Sequence, residues 1–343
     1  MSFYNYIHDI LESSFDLEEG NKIGESIGGR DISGYRIGHG PKKISLIAGN
    51  HADEPVGPLL LKKLVSYLRK IEESHPLLKR YTWYIVPHTN PDGEQHNKKW
   101  YSYRDTKTDL AKYLTHVQRE LPGEDIEFGF PIDGSIESLR PENTVVYDFW
   151  KTANSSFDLH GSLHGMRATY GPWFLIDKNW IDRTLHLREK CTLQTQKLGY
   201  HLYDLDRNGE KGFKRIAEGF CTRPDSQEMR KHFRQLGDIN TAKQFHASSM
   251  ESIRSLGGDC LTLVTEMPLF IFPKEARKLS WPDPYLQKWS EQFAQWKLKL
   301  SLQQITAEEC NQEAIEMGVI SMPWRDQMCL QWQLIVAGLE SLC

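Results

Sequence analysis

The chain lacks several features that would place it in a special class of protein. No stretch of about 18 apolar residues predicts a membrane-spanning helix, and the first twenty residues lack the basic and apolar segments of a signal peptide. The net charge of −4 provides no basic excess for nucleic acid. None of the six cysteines has Cys-X-X-Cys spacing, which argues against a zinc knuckle or a redox dithiol. We therefore expect a cytoplasmic protein with reduced, buried thiols and neither nucleic-acid nor membrane partners.

No internal repeat or low-complexity linker divides the chain. We expect one domain over residues 1–343, with a core at about 20–272 and a C-terminal helical extension at 280–343. Apolar runs predict buried strands at 44–49, 81–86, 156–159, 174–176 and 261–265. Apolar residues at helical spacing predict helices at 60–71, 145–150, 180–200, 240–256 and from 284 onward. This alternation predicts an α/β fold with a mixed, mostly parallel twisted sheet and helices on both faces.

The segment after the first strand contains a candidate metal-binding pair. His51 and Glu54 stand three positions apart in a turn between a strand and a helix, where both side chains can face one ion. Zinc accepts nitrogen and oxygen ligands, and a catalytic site combines three protein ligands with a water. Such a pair is common on protein surfaces, so by itself it is weak evidence for a metal site. A zinc site also needs a third protein ligand, which must come from elsewhere on the sheet.

Two more candidates follow predicted strands. His160 comes directly after the strand at 156–159 and is the predicted third ligand, with His164 as its competitor. Glu266 ends the strand at 261–265, where a carboxylate has a desolvation cost. A general base beside an activated water would explain its position, and an exposed strand end is the alternative. Ligands of open α/β sheets bind beyond the carboxyl ends of the strands, so these residues should meet in one crevice.

Several blocks of the sequence resemble those of the zinc metallocarboxypeptidases, in the same order. They are IGESIGGR at 23–30, GNHADEP at 49–55, NPDG at 90–93 and TEMP at 265–268. The resemblance implies a carboxypeptidase-like hydrolase with one zinc ion and a peptide substrate. It implies that His51, Glu54 and His160 are the ligands and that Glu266 is the general base.

The resemblance also assigns further residues. Arg104 is the candidate for the arginine that stabilises the tetrahedral intermediate, and Asp125 matches the aspartate that orients the first zinc histidine. Glu127 and Phe128 stand where the family has the Asn-Arg pair that grips a peptide's C-terminal carboxylate. A carboxylate cannot take over that role, so we expect altered recognition of the substrate. Glu127 either attracts a cationic group of the substrate or faces solvent.

Two other functions stay open. The DLH segment at 158–160 resembles the aspartoacylase and succinylglutamate desuccinylase group, whose members deacylate N-acyl amino acids. In such an enzyme Arg167 could bind the negatively charged group of an acidic substrate, and Tyr170 is a further substrate-binding candidate. A non-catalytic binding protein on the same scaffold is the third hypothesis, which the complete set of ligands and the glutamate disfavour. The tail after Glu266 could cover the flank of the site or form a homo-oligomer contact.

Overall fold

The computed structural model describes residues 3–17, 21–121, 123–132, 140–204, 206–273 and 281–342. Its strands are β1 Lys22–Glu25, β2 Asp31–Ser33, β3 Tyr35–Ile37, β4 Lys42–Ala48, β5 Tyr81–Val86, β6 Leu159–Thr169, β7 Trp173–Ile176, β8 Arg215–Ala217, β9 Phe220–Thr222, β10 Leu261–Ile271 and β11 Ile320–Ser321. Its α-helices are α1 Ile7–Glu12, α2 Val56–Lys70, α3 Pro76–Arg80, α4 Pro91–Asn97, α5 Leu110–His116, α6 Pro141–Lys151, α7 Leu185–Lys197, α8 Ser226–Gln235, α9 Ile239–Gln244, α10 Ser249–Ser255, α11 Pro284–Ser301, α12 Ala307–Glu316 and α13 Trp324–Glu340. Short 3-10 helices cover Phe3–Tyr6, Lys178–Trp180 and Glu210–Gly212.

Within the described residues, a nine-stranded mixed sheet forms the centre of the molecule. Its order is β3-β5-β4-β6-β10-β7-β9-β8, and β11 pairs with the end of β10. The four central strands β5, β4, β6 and β10 run parallel, and antiparallel pairs join them to the flanking strands. The predicted α/β class with a mixed sheet is therefore confirmed.

Helices cover both faces of this sheet. Leu46 and Ile47 are adjacent in β4 and enter different buried clusters, because successive side chains of a strand point to opposite faces. The larger cluster holds the apolar face of α2, including Leu60 and Leu64. The smaller cluster lies on the other face of the sheet and includes Trp150 of α6. The core thus has a layer of helices on each side of the sheet.

The C-terminal segment is built into the sheet. Helix α13 packs on β6 and β10, and nearly all of its residues are buried. The two residues of β11 extend the sheet at Phe270 and Ile271. The predicted junction near residue 280 lies outside the described residues. In the described part of the chain, no helix is long and apolar enough to cross a membrane.

Three predicted elements differ from the structure. The predicted strand at 156–159 is wrong in all but its last residue, because β6 begins at Leu159 and continues to Thr169. Strand β10 does not end at Glu266 but runs on to Ile271. Polar residues and glycines interrupt the apolar pattern of these strands, while pairing between β6 and β10 supplies their backbone hydrogen bonds. The predicted helix at 240–256 is divided into α9 and α10, since Ser248 starts α10 with a capping box.

Candidate metal centre

A tight turn after β4 places the first two candidate ligands. Gly49 has a φ of +79°, and a Cβ there would lie 2.5 Å from the ring of His88, so only glycine fits. The backbone N–H of Glu54 then donates to the carbonyl of His51 at 3.2 Å. Helix α2 begins two residues later, at Val56. His51 and Glu54 are therefore held in one short turn at the end of a central strand.

His51, Glu54 and His164 form a compact cluster. Each offers a ligand atom, and these atoms lie within 4.8 Å of one another. Oε1 of Glu54 lies 2.9 Å from Nδ1 of His51, and its Oε2 lies 2.9 Å from Nδ1 of His164. Glu54 and His164 are buried, whereas His51 is partly exposed, so solvent reaches the cluster from the His51 side. Two imidazoles and one carboxylate are the donor set of a catalytic zinc site with a free fourth position.

The structure brings His164 into this cluster, and not His160, the predicted third ligand. His160 is fully buried, and its ring nitrogens face the hydroxyls of Ser45 at 3.0 Å and Ser249 at 3.2 Å. Its ring also packs against the edge of Trp150. The two histidines share one face of β6 but stand four residues apart, about 13 Å along a strand. The serine hydroxyls explain how a histidine can be buried there without a metal.

Glu266 lies beside the cluster on the next strand. In the parallel pairing of β10 with β6, Glu266 stands opposite His164. It is partly exposed, while its neighbours Thr265 and Met267 are buried. Burial raises the pKa of Glu266 to about 7, and the repulsion of Glu54 adds to this effect while His164 opposes it. A pKa near neutral pH is what general acid–base catalysis requires.

The predicted catalytic arginine, Arg104, lies in an exposed turn, where its backbone N–H donates to Oγ of Ser102. Arg119 stands at the cluster instead. Its Nη1 donates to both carboxylate oxygens of Asp53, at 3.1 and 3.2 Å, and to Oε1 of Glu54 at 3.1 Å. Sequence reasoning missed Arg119, which follows α5 in a stretch without regular structure and without a distinctive motif.

A second layer of polar groups surrounds Glu127. This side chain is buried, so the expectation that it faces solvent is wrong. Arg223 donates to its Oε1 at 2.7 Å and Asn50 to its Oε2 at 2.7 Å. The same Oε2 lies 3.1 Å from Nε2 of His164. Since Arg223 already supplies a positive charge, this geometry gives no support to binding of a substrate cation.

The charges of this layer act on one another. Burial alone would raise the pKa of Glu127, but His164 and Arg223 hold it well below its usual range. Burial would lower the pKa of His164, but Glu127 and Glu54 raise it to about 10. His164 thus lies between two carboxylates whose charges favour its protonated form. Arg223 also escaped sequence reasoning, because it follows the short edge strand β9 without any recognisable motif.

The other predicted residues lie around the cluster in different ways. Burial raises the pKa of Asp125, a nearby His51 opposes this, and Oδ1 of Asp125 has no hydrogen-bond partner among the described residues. Phe128 packs edge-on against Phe245 at 5.0 Å. The charge of His51 therefore acts on Asp125, whereas the ring of Phe128 lies against Phe245.

Arg167 and Tyr170 are not brought to the cluster. Arg167 lies three residues after His164 in β6 and so points to the opposite face, where its guanidinium lies 5.2 Å from the ring of Phe293. Tyr170 is buried and packs on Tyr203 and Phe272. Their predicted role in substrate binding is not supported by these contacts.

Comparison with known proteins identifies the family of the chain. Residues 3–193 match the model of the peptidase M14 family, described as zinc carboxypeptidase. The chain therefore belongs to the zinc carboxypeptidase family. It is 26% identical over 173 residues to carboxypeptidase M of Mus musculus, which covers 47% of this chain and 36% of the mouse protein. It is 35% identical over 80 residues to zinc carboxypeptidase A 1 of Drosophila melanogaster, covering 20% of this chain and 19% of the fly protein.

Two solved carboxypeptidase structures also align with the chain. Carboxypeptidase A from Helicoverpa armigera aligns with a TM-score of 0.47 and 14% identity, covering all of this chain and 73% of that one. A metallo-carboxypeptidase from Burkholderia cenocepacia aligns with a TM-score of 0.45 and 14% identity, covering 98% of this chain and 67% of that one.

Proposed function

We propose that the chain is a zinc-dependent hydrolase that cleaves a peptide or amide bond with Glu266 as general base. The observation that carries this proposal is the meeting of His51, Glu54 and His164 within 4.8 Å, with Glu266 paired to His164 on the adjacent strand. Membership in the zinc carboxypeptidase family supports zinc as the metal. One ion fits this set of three ligands.

The residues around the cluster have distinct roles in this reaction. A zinc ion bound there would supply Lewis acidity, which lowers the pKa of a water toward about 7 and polarises a carbonyl. Glu266 accepts the proton of the attacking water and returns it to the leaving amine. Arg119 replaces Arg104 as the candidate that stabilises the developing oxyanion, because its guanidinium already touches Glu54. Asp125 is the candidate to orient His51.

The type of substrate depends on the residues that replace the family's Asn-Arg pair. The places of the family's Asn-Arg pair hold Glu127 and Phe128, and Glu127 is engaged by Arg223 and His164. We therefore propose that recognition of a C-terminal carboxylate differs from that implied by the resemblance. The same observation keeps a deacylase of N-acyl amino acids as the second candidate. The cytoplasmic location and a homo-oligomer contact of the tail stay predictions.

A substrate screen by mass spectrometry tests the function. Zinc-loaded protein, metal-free protein and the Glu266→Gln variant would be incubated with one mixed library. The library contains peptides with free and with blocked C-termini, and N-acyl amino acids. Zinc-dependent cleavage of peptides that Glu266→Gln cannot perform supports a peptidase, and cleavage of N-acyl amino acids alone supports the deacylase. If the zinc-loaded protein cleaves neither the peptides nor the N-acyl amino acids, the proposed hydrolase function is contradicted.

A further inference from the structure

The imidazole of His164 has carboxylates on both of its nitrogens. Nδ1 faces Oε2 of Glu54 inside the cluster, at 2.9 Å, and Nε2 faces Oε2 of Glu127 outside it, at 3.1 Å. Nδ1 therefore points toward Glu54, a candidate ligand, and Nε2 points toward Glu127. A ring nitrogen binds a metal in its unprotonated form, so the proton of the neutral imidazole must then reside on Nε2.

Glu127 is held in a position where its carboxylate can accept a hydrogen bond from that N–H. Its Oε1 accepts a hydrogen bond from Arg223, whose side chain is buried, and its Oε2 accepts one from Asn50. These two donors fix the carboxylate in place and compensate its charge in the protein interior. The carboxylate thus presents Oε2 to His164 before any metal binds.

Ser162 is a second group on the same nitrogen. Its Oγ lies 2.9 Å from Nε2 of His164, two residues earlier on the same face of β6. A hydroxyl can either donate or accept, so it does not fix which nitrogen holds the proton. An ionised carboxylate can only accept, and its hydrogen bonds are stronger than neutral ones. With Nδ1 directed to the metal, Glu127 is therefore the stronger acceptor for the N–H at Nε2.

We propose that Glu127 is a positioning residue that holds His164 with its proton on Nε2 and its Nδ1 directed to the metal. This inference rests on the proposed zinc site and adds a role for the residue that stands in place of the family's asparagine. It also gives Arg223 and Asn50 a purpose, since they hold the carboxylate that orients the ligand. Partners of this kind behind metal-binding histidines typically change metal affinity by about 10–100-fold.

Zinc affinity, measured by competition with a chromophoric chelator, tests the proposal without any assay of activity. Glu127→Gln keeps the shape of the side chain but removes its charge, and we expect a loss of zinc affinity of about tenfold or more. Ser162→Ala removes the neutral group from the same nitrogen and should cost less than Glu127→Gln. Ser249→Ala is the control for the hydrogen-bond network. Among the described residues, Ser249 hydrogen-bonds to Arg223 and His160 and not to Glu127 or His164.

The possible outcomes distinguish failure of the proposed zinc site from failure of the positioning role of Glu127. A wild-type protein that binds no zinc would contradict the proposed function. A wild-type protein that binds zinc, with Glu127→Gln losing less than tenfold or less than Ser162→Ala, would overturn the positioning role alone. If Glu127→Gln does not fold, a crystal structure of the zinc-loaded wild type decides. Zinc on Nδ1 of His164 with Glu127 on Nε2 supports the proposal, and zinc on Nε2 overturns it.

Discussion

Glu266 stands directly opposite His164 in the parallel pairing of β10 with β6. Residues paired in this way point to the same face of a sheet, so the carboxylate of Glu266 lies beside the imidazole in the cluster. Burial gives Glu266 a pKa of about 7, whereas Glu54 stays ionised next to both histidines. In the mechanism that we propose, Glu54 is therefore a metal ligand and Glu266 is the general base.

The first prediction follows from this division. Glu266→Gln should lower kcat by at least about 100-fold, because an amide cannot take the proton of the attacking water. Zinc affinity should stay close to that of the wild type, since Glu266 is not among the three clustered ligands. Steady-state kinetics and zinc titration measure both effects, and Glu72→Gln, on an exposed residue, serves as the control. Turnover near the wild-type level would remove Glu266 from the mechanism.

The second prediction separates the two histidines of β6. His164→Gln should abolish tight zinc binding, whereas His160→Gln should retain it. His160→Gln should instead lower the free energy of unfolding by about 1–3 kcal/mol, because it disturbs the buried hydrogen bonds to Ser45 and Ser249. Metal content after dialysis and urea unfolding of the metal-free proteins give the two readouts. The reverse pattern would restore His160 as the ligand.

Much of the centre could be predicted from the sequence because it depends on local signals. His51 and Glu54 follow an apolar run that ends in a glycine turn, and Glu266 lies in another apolar run. These signals come from short segments whose conformation depends mainly on their own residues. The structure accordingly brings His51, Glu54 and Glu266 together.

The third residue of the cluster, His164, could not be predicted in the same way. His160 and His164 have the same parity in β6, so alternation along the strand places both on the cluster's face. The choice between them depends on how far β6 extends and on its register with β10, which pairs His160 with Thr262 and His164 with Glu266. Register depends on contacts between segments about a hundred residues apart. Arg223 escaped prediction for the same reason, since its partner Glu127 is distant in sequence.

The third prediction compares two arginines. Arg119→Gln should lower kcat/KM by about 100- to 1000-fold, which is the typical loss when one donor to a developing oxyanion is removed. Arg119→Lys should lie between this variant and the wild type, because it keeps the charge beside Asp53 but not the planar guanidinium. Arg104→Gln, in its exposed turn, should stay within about twofold. Equal losses for Arg104 and Arg119 would contradict the assignment.

The fourth prediction concerns stability at acidic pH and depends on His88. Burial lowers the pKa of His88 to about 4, and its Nε2 has no hydrogen-bond partner among the described residues. In the unfolded chain the pKa of a histidine is about 6.5, so below that pH the unfolded state binds more protons than the native state. His88 therefore contributes stability that is fully present above pH 6.5 and is lost as the pH falls toward 4. Over this window the loss should reach about 3 kcal/mol, at about 1.4 kcal/mol for each unit of pKa difference.

Urea unfolding of the metal-free protein between pH 7.5 and 4.5 measures this loss. His88→Asn should show a flatter dependence on pH than the wild type, because its amide does not titrate while its oxygen can still accept the hydrogen bond from the backbone N–H of Asn90. His186→Asn, which replaces a histidine with an exposed side chain, should follow the wild-type curve. If His88→Asn and the wild type lose stability in parallel as the pH falls, His88 is protonated in the folded protein and its burial does not keep it neutral.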